Sequence, residues 1–142
     1  MRSTTVFRDV SGRTGSPVNI TVSVTSSISM EDTVHEYYDT IDEKRYDDLS
    51  DILDPEVVHY RPSGTLEGRE EFVEFMRNER PMKETTHKVD GFYGTGPKVA
   101  DGTEVVAFGR VVSDEDDETL FDFLDLFVFE DNAIKKIRTY TP

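Results

Sequence analysis

An aspartate set among phenylalanines is the first place in this chain to look for chemistry. Along residues 119 to 130, Phe121, Phe123, Asp125, Phe127 and Phe129 fall on one face at period-two spacing, and Leu124, Leu126 and Val128 fall on the other. A carboxylate on an aromatic face either rises in pKa and donates as a neutral acid, or sits at the rim of a wet cavity as an acid or base. A structural role, with Asp125 paired to an Arg or capped by a Tyr hydroxyl, satisfies the same pattern. His59 and Arg61 share one face of the segment Val57 to Arg61, and His87 starts the next strand-like run. An imidazole near a carboxylate moves protons around neutrality, and an Arg holds a carboxylate or enolate oxygen. Together these groups suit general acid/base chemistry on a carbonyl compound. Taken singly, each His also fits an ordinary strand histidine satisfied by a neighbour, and Arg61 fits a simple counter-charge for Asp125.

The elements that must position these groups are legible from periodicity. Ser29 followed by Asp32 resembles a capping box, and Val34, Tyr37, Tyr38 and Ile41 then recur at helical spacing, which predicts a helix over 30–44. Tyr46, Leu49 and Leu53 predict a short second helix that ends at Asp54-Pro55. Val57 to Arg61 reads as a strand and Pro62-Ser63-Gly64 as a turn. Residues 67–70 open a third helix, with Phe72, Val73, Phe75 and Met76 as its apolar stripe before Pro81. From Lys83 the period becomes two, with strands expected over 83–93, 104–113, 119–130 and 133–141 as an antiparallel meander. Tyr38 and Tyr46 read as packing residues.

The succession from Val34 to Met76 resembles the first half of the nuclear-transport-factor-2-like superfamily, in particular its SnoaL-like and ketosteroid-isomerase-like branches. The resemblance implies an α+β, cone-shaped fold, three N-terminal helices packed on a curved, mostly antiparallel sheet, around a small-molecule pocket. Asp125-Leu126-Phe127-Val128-Phe129 and Tyr37 match the strand Asp and helix-one Tyr that serve a substrate oxyanion in ketosteroid-isomerase-like members. Their carboxylate base before the Pro of the first strand is replaced here by Arg61 before Pro62, which disfavours classical ketosteroid isomerisation. SnoaL-like cyclases use an Asp and a His, roles open to Asp125 with His59 or His87. The epoxide-hydrolase branch needs an Asp where Thr139 stands, and is disfavoured. The expected catalytic set is therefore Asp125, Tyr37, His59 and His87. The expected ligand wall is Arg61, Phe72, Phe123 and Phe127. No cofactor is expected. The function implied is a cofactor-free lyase, isomerase or cyclase on a small apolar carbonyl compound, or else a non-catalytic binding or dimerisation module.

Composition bounds the partners. The chain has 142 residues with 30 acids against 16 Lys plus Arg, of which six are Lys, and a formal net charge of −14. That surface repels polyanions, so nucleic acid is excluded as a partner. Acid-rich, Lys-poor, Cys-free composition matches cytosolic proteins of salt-accumulating organisms, so a halophilic, cytoplasmic protein is expected. No apolar run is long enough for a membrane span, and without Cys there are no disulfides or thiolates. His35, His59 and His87 lack metal-ligand spacing, so no metal site is expected. Gly91 to Gly96 lacks the order of a phosphate loop, and the acidic run Asp114 to Glu118 reads as a solvated hairpin turn.

Residues 1–29 differ from the rest. They hold twelve Ser or Thr, three Arg and one acid, whereas the remaining 113 residues hold 29 acids and 13 bases. A tail, a targeting segment or an extension upstream of Met30 is expected there, with the domain over 30–142. Val18, Ile20, Val22 and Val24 alternate well enough for an edge strand, and Asn19-Ile20-Thr21 matches a glycosylation acceptor by motif alone. Since both faces of the 119–130 strand are apolar, the Leu124, Leu126 and Val128 face predicts burial in a homodimer, or under the N-terminal segment.

Overall fold

The computed structural model describes residues 21–99 and 102–142. Helix α1 spans Thr21–Asp42, α2 Tyr46–Asp51, and α3 Arg69–Glu74, which continues as a π-helical turn over Phe75–Glu79. Six strands follow the order β1 Leu53–Arg61, β2 Gly64–Glu67, β3 Thr85–Val99, β4 Gly102–Ser113, β5 Thr119–Glu130 and β6 Ala133–Tyr140. They form one sheet in the spatial order β2-β1-β6-β5-β4-β3, antiparallel throughout except for the parallel pair β1 and β6.

Helix α1 starts nine residues before its expected first turn, so Val22 and Val24 lie in a helix and not in an edge strand. Val18, Ile20 and the Asn19 motif lie outside the described residues. Its stripe is as the periodicity requires: Val34, Tyr37, Tyr38 and Ile41 are all buried. The helix ends without glycine. Lys44 takes φ 60°, its N–H bonds the Ile41 carbonyl, and the Arg45 N–H reaches Thr40, the paired bonds of a Schellman ending. Arg45 then ties Glu36, Glu43 and Asp48 with contacts of 2.7 to 3.2 Å, gathering three carboxylates around the left-handed turn.

Helix α2 stops at Asp51, earlier than expected, because Leu53 already pairs with Ile134 in the sheet. Pro55 lies where the β1 to β6 register shifts between Leu53 and Val58, and a bulge tolerates its missing donor. Strand β2 is an addition to the sequence reading, in which its residues fell between a turn and the third helix. It pairs Val58 with Glu67 through Arg61 with Gly64, burying only Leu66. The β5 to β6 connection is Asp131-Asn132 with φ of 54° and 66°, the twist-matched two-residue turn of a tight hairpin. Gly109 is required by close approach, since a Cβ there would overlap the Lys88 carbonyl on β3.

The inner face of β5 buries Phe123, Asp125, Phe127 and Phe129 against α1, α3 and β6. Its outer face carries Leu124, Leu126 and Val128. Across the sheet Leu124 pairs with Phe108 and Tyr140, and Leu126 with Val106 and Arg138. Leu124 is 39% and Tyr140 53% exposed, so among the described residues this apolar face is partly open.

Candidate active site

A cavity of about 210 Å³ lies between the C-terminal half of α1, the π-helical turn and the inner face of the sheet. Asp125 and Phe123 from β5, His59 and Arg61 from β1, Thr139 from β6 and Tyr37 from α1 reach its wall. The π-helical turn sends Phe75 and Met76 into the same space, consistent with the tendency of such turns to re-aim side chains at sites. Exposed Pro81, Met82 and Phe121 mark its mouth.

Asp125 is 6% exposed and both of its oxygens are engaged. The Tyr38 hydroxyl donates to Oδ2 at 2.7 Å and the Thr139 hydroxyl to Oδ1 at 2.5 Å. Burial raises its pKa, and the two donors and His87 oppose that rise only in part. A carboxyl in this position carries a proton more readily than one in water. The Thr139 oxygen in turn lies 2.8 Å from His59 Nε2. While the Thr139 hydrogen points at Asp125, its oxygen accepts from His59, which makes His59 the Nε2–H tautomer. His59 is 4% exposed and stacks on Phe72 at 5.1 Å, and its Nδ1 is buried without a partner. Burial, with the Arg61 charge, holds its pKa down at about 3, so the ring is neutral. His59, Thr139 and Asp125 form one hydrogen-bonded series along the β1, β6 and β5 ladder. His59 pairs with Ile137, Thr139 with Asp125, so the strand register itself builds the series.

Tyr37 and Tyr38 exchange the parts expected of them. Tyr38, read as packing, is the hydroxyl that reaches Asp125. Tyr37 reaches the cavity instead, its hydroxyl without a hydrogen bond among the described residues. Burial and the Asp125 charge raise the pKa of Tyr37 well above the ordinary phenol value, with Arg80 and Arg61 opposing. The structural alternative for Asp125, capping by a Tyr hydroxyl, is thus present in the molecule, while an ion pair with Arg61 is not. The Arg61 guanidinium lies 4.3 Å over the Phe75 ring, with Nε buried and unpartnered.

His87 lines the cavity through a different partner. Its Nδ1 is 2.7 Å from Asp42 Oδ1 and its backbone N–H donates to Asp42 Oδ2 at 2.9 Å. Its ring lies 4.9 Å from that of Tyr38, so His87 approaches the Asp125 group through a ring and not through a hydrogen bond. Of the expected aromatic wall, Phe123 lines the cavity. Phe72 and Phe127 do not: Phe72 backs His59, and Phe127 is fully buried against Tyr37 and Tyr38, both drawn into the core by the helix they pack on. Four participants were missed. Tyr38 and Thr139 are neighbours of Asp125 only in space; Asp42 sits one helical turn after Tyr38 and Arg80 ends the π-helical turn, cues that spacing alone does not turn into a site. Among the described residues no group of three or more His, Asp or Glu is set to hold a metal ion, and no helix is long and apolar enough to cross a membrane.

The family model of the SnoaL-like domain matches residues 34–137, well over half of the chain. The chain belongs to the SnoaL-like domain family. Its fold is that of the nuclear-transport-factor-2-like superfamily, also called cystatin-like, as solved structures show. An NTF2-like protein from Cytophaga hutchinsonii is 18% identical with a TM-score of 0.64, covering 79% of this chain and 88% of that one. A proposed ketosteroid isomerase from Kribbella flavida is 16% identical with a TM-score of 0.63, covering 77% and 74%. A proposed polyketide cyclase from Sinorhizobium meliloti is 16% identical with a TM-score of 0.62, covering 79% and 98%. At these identities the likeness is one of fold. No curated protein matches the chain. Within the SnoaL-like domain the α+β architecture and the mostly antiparallel sheet are as expected, and the three N-terminal helices are matched only in part. The third helix follows β1 and β2, so those strands enter the sheet before it.

Proposed function

We propose that this SnoaL-like protein binds a small, largely apolar carbonyl compound in the cavity and moves a proton on it without a cofactor. The observation that carries the reading is a buried carboxyl, Asp125, on the wall of a mostly apolar cavity and linked through Thr139 to a neutral His59. In this reading the ligand carbonyl accepts from the Tyr37 hydroxyl, which has no competing hydrogen bond among the described residues. Asp125 as carboxylate takes a proton from the carbon beside the carbonyl, and the electron pair moves to the carbonyl oxygen, where Tyr37 stabilises it and Arg61 orients the anion. Asp125 then swaps its proton with solvent and returns one to the same carbon, which gives exchange, or delivers it to another carbon of a conjugated ligand, which gives isomerisation. Where the enolate carbon instead attacks a second carbonyl of the ligand, Asp125 protonates the alkoxide so formed and a ring closes. The raised pKa of Asp125, caused by its burial, makes the carboxylate a stronger base toward a carbon acid than a carboxylate in water.

Proton exchange in heavy water tests it. Cyclohexanone incubated with wild type should lose its α-hydrogen NMR signals faster than in buffer, and Asp125→Asn should return the rate to the buffer value. Wild type no faster than buffer sinks the acid/base reading. A second reading, ligand binding without chemistry, is favoured by the fact that both Asp125 oxygens already have protein donors. Ligand-dependent thermal stabilisation with no exchange identifies it. For assembly, the open face around Leu124, Leu126 and Val128 supports a homodimer that buries it, and residues 1–29 are read as an extension outside the 30–142 domain.

A further inference from the structure

Several described cations have no acid partner, Arg69 and Arg138 among them, and the ones that matter for a ligand are those that line the cavity. Arg45 holds three carboxylates, and Arg77 and Arg110 hold one each. Two half-buried arginines on the cavity wall hold none among the described residues. Among the described residues the Arg61 guanidinium has its contact with the Phe75 ring and no acid. Arg80 donates only to backbone carbonyls, to Met82 at 3.0 Å and Ile41 at 3.4 Å, contacts that fix its direction without neutralising it. Each has a buried Nε with no hydrogen-bond partner. A guanidinium taken partly out of water and left without an anion is costly, so each of the two lowers its free energy when an anion enters the cavity they both line. The Tyr37 hydroxyl, without a hydrogen bond among the described residues, feels both charges and shares the same wall.

Resting on the reading of the cavity as a ligand site, we infer that its ligand is a small monocarboxylate, its carboxylate held by Arg61 and Arg80 and its apolar body lying against Phe123, Phe75 and Met76. Guanidinium groups match a carboxylate in shape as well as charge, and the cavity supplies apolar surface around them. The cavity size suits one compact ring or short chain. Arg61 thereby has a use in the very place where the isomerase pattern has a base: it binds the substrate acid where a carboxylate would repel it.

Benzoate and benzamide, equal in shape and different in charge, test this by NMR titration, following the Arg61 and Arg80 Nε–H signals and the Met76 methyl. Benzoate should bind wild type at least tenfold more tightly than benzamide, since a charge-assisted contact is worth about that factor, and should shift both Nε–H signals. Arg61→Lys and Arg80→Lys, which keep charge but lose the Nε donor, should each cut benzoate affinity severalfold while benzamide binding stays. A circular dichroism melt of each variant establishes that it is folded. Equal affinity of wild type for the two compounds, with the Met76 signal moving for both, overturns the carboxylate clamp and leaves the cavity reading standing. No movement with either compound up to roughly 10 mM, where binding is worth under about 3 kcal/mol, overturns both. Benzoate binding through the arginines without any cyclohexanone exchange keeps the clamp and removes the catalytic reading.

Discussion

His59 allows the sharpest physical test of the site. With its pKa held at about 3 in the folded protein against an ordinary 6.5, native His59 stays neutral in a range where the unfolded chain takes up a proton. Because the folded value is depressed, the unfolded state binds more protons at acid pH. Stability from this group is therefore complete above pH 6.5 and is lost as pH falls toward 3. The penalty at about pH 5 is about 2 kcal/mol relative to about pH 7.5, and it grows by about 1.4 kcal/mol for each further unit down to about pH 3. His59→Gln keeps an amide donor near Thr139 and cannot titrate. Urea unfolding of both proteins at the two pH values, at one fixed ionic strength, isolates the His59 share, because the carboxylates and the other histidines are common to both. The wild-type midpoint should drop by roughly 1 M more than that of the variant, given an ordinary slope for a domain of this size. Equal drops in the two proteins would refute the claim that the fold holds His59 neutral, and with it the direction assigned to the His59, Thr139 and Asp125 hydrogen bonds.

Other expectations follow from neighbouring groups. Asp125 has the opposite sign: its pKa is raised, so wild type should lose stability as pH rises through that value, and Asp125→Asn should flatten the loss in the same urea series. Tyr38→Phe leaves a buried carboxyl oxygen without its donor and should cost about 1 to 3 kcal/mol, whereas Tyr37→Phe removes an unbonded hydroxyl and should cost under about 0.5 kcal/mol by the same assay. Leu126→Glu should convert a dimer to a monomer by light scattering, because it places a charge in the centre of the open sheet face; an unchanged mass in a dimeric wild type would move the interface elsewhere. Raising potassium chloride from about 0.1 M to about 1 M shortens the screening length from about 10 Å to about 3 Å and should raise the melting temperature, given the net charge of −14; a flat response argues against a salt-adapted surface.

Periodicity carried most of the fold, because burial of one face forces it. The stripe Val34, Tyr37, Tyr38, Ile41 can pack only as a helix, and the alternation through Phe123, Asp125, Phe127 and Phe129 only as a strand with an inward carboxyl. The Asp-Asn turn and the Pro81 stop are equally local. β2 was not legible, since four residues with one buried side chain carry too little pattern. The start of α1 was obscured by Ser and Thr, which suit caps and turns as well as helices.

For the site, the sequence by itself determined that a carboxylate sits among aromatics on β5 and that Arg61 replaces an acid before Pro62. The SnoaL-like family follows from the order of elements around them. Which tyrosine serves Asp125 was a matter of tertiary structure. Neighbouring positions on α1 differ by about 100° of rotation, and only packing against β5 decides that Tyr38 meets the carboxyl and Tyr37 the cavity. The same holds for Thr139, brought to both Asp125 and His59 by the register of three strands, and for Arg80, aimed inward by a π-helical turn no spacing rule announces. Chain order supplies the chemical groups, and long-range register decides which of them touch.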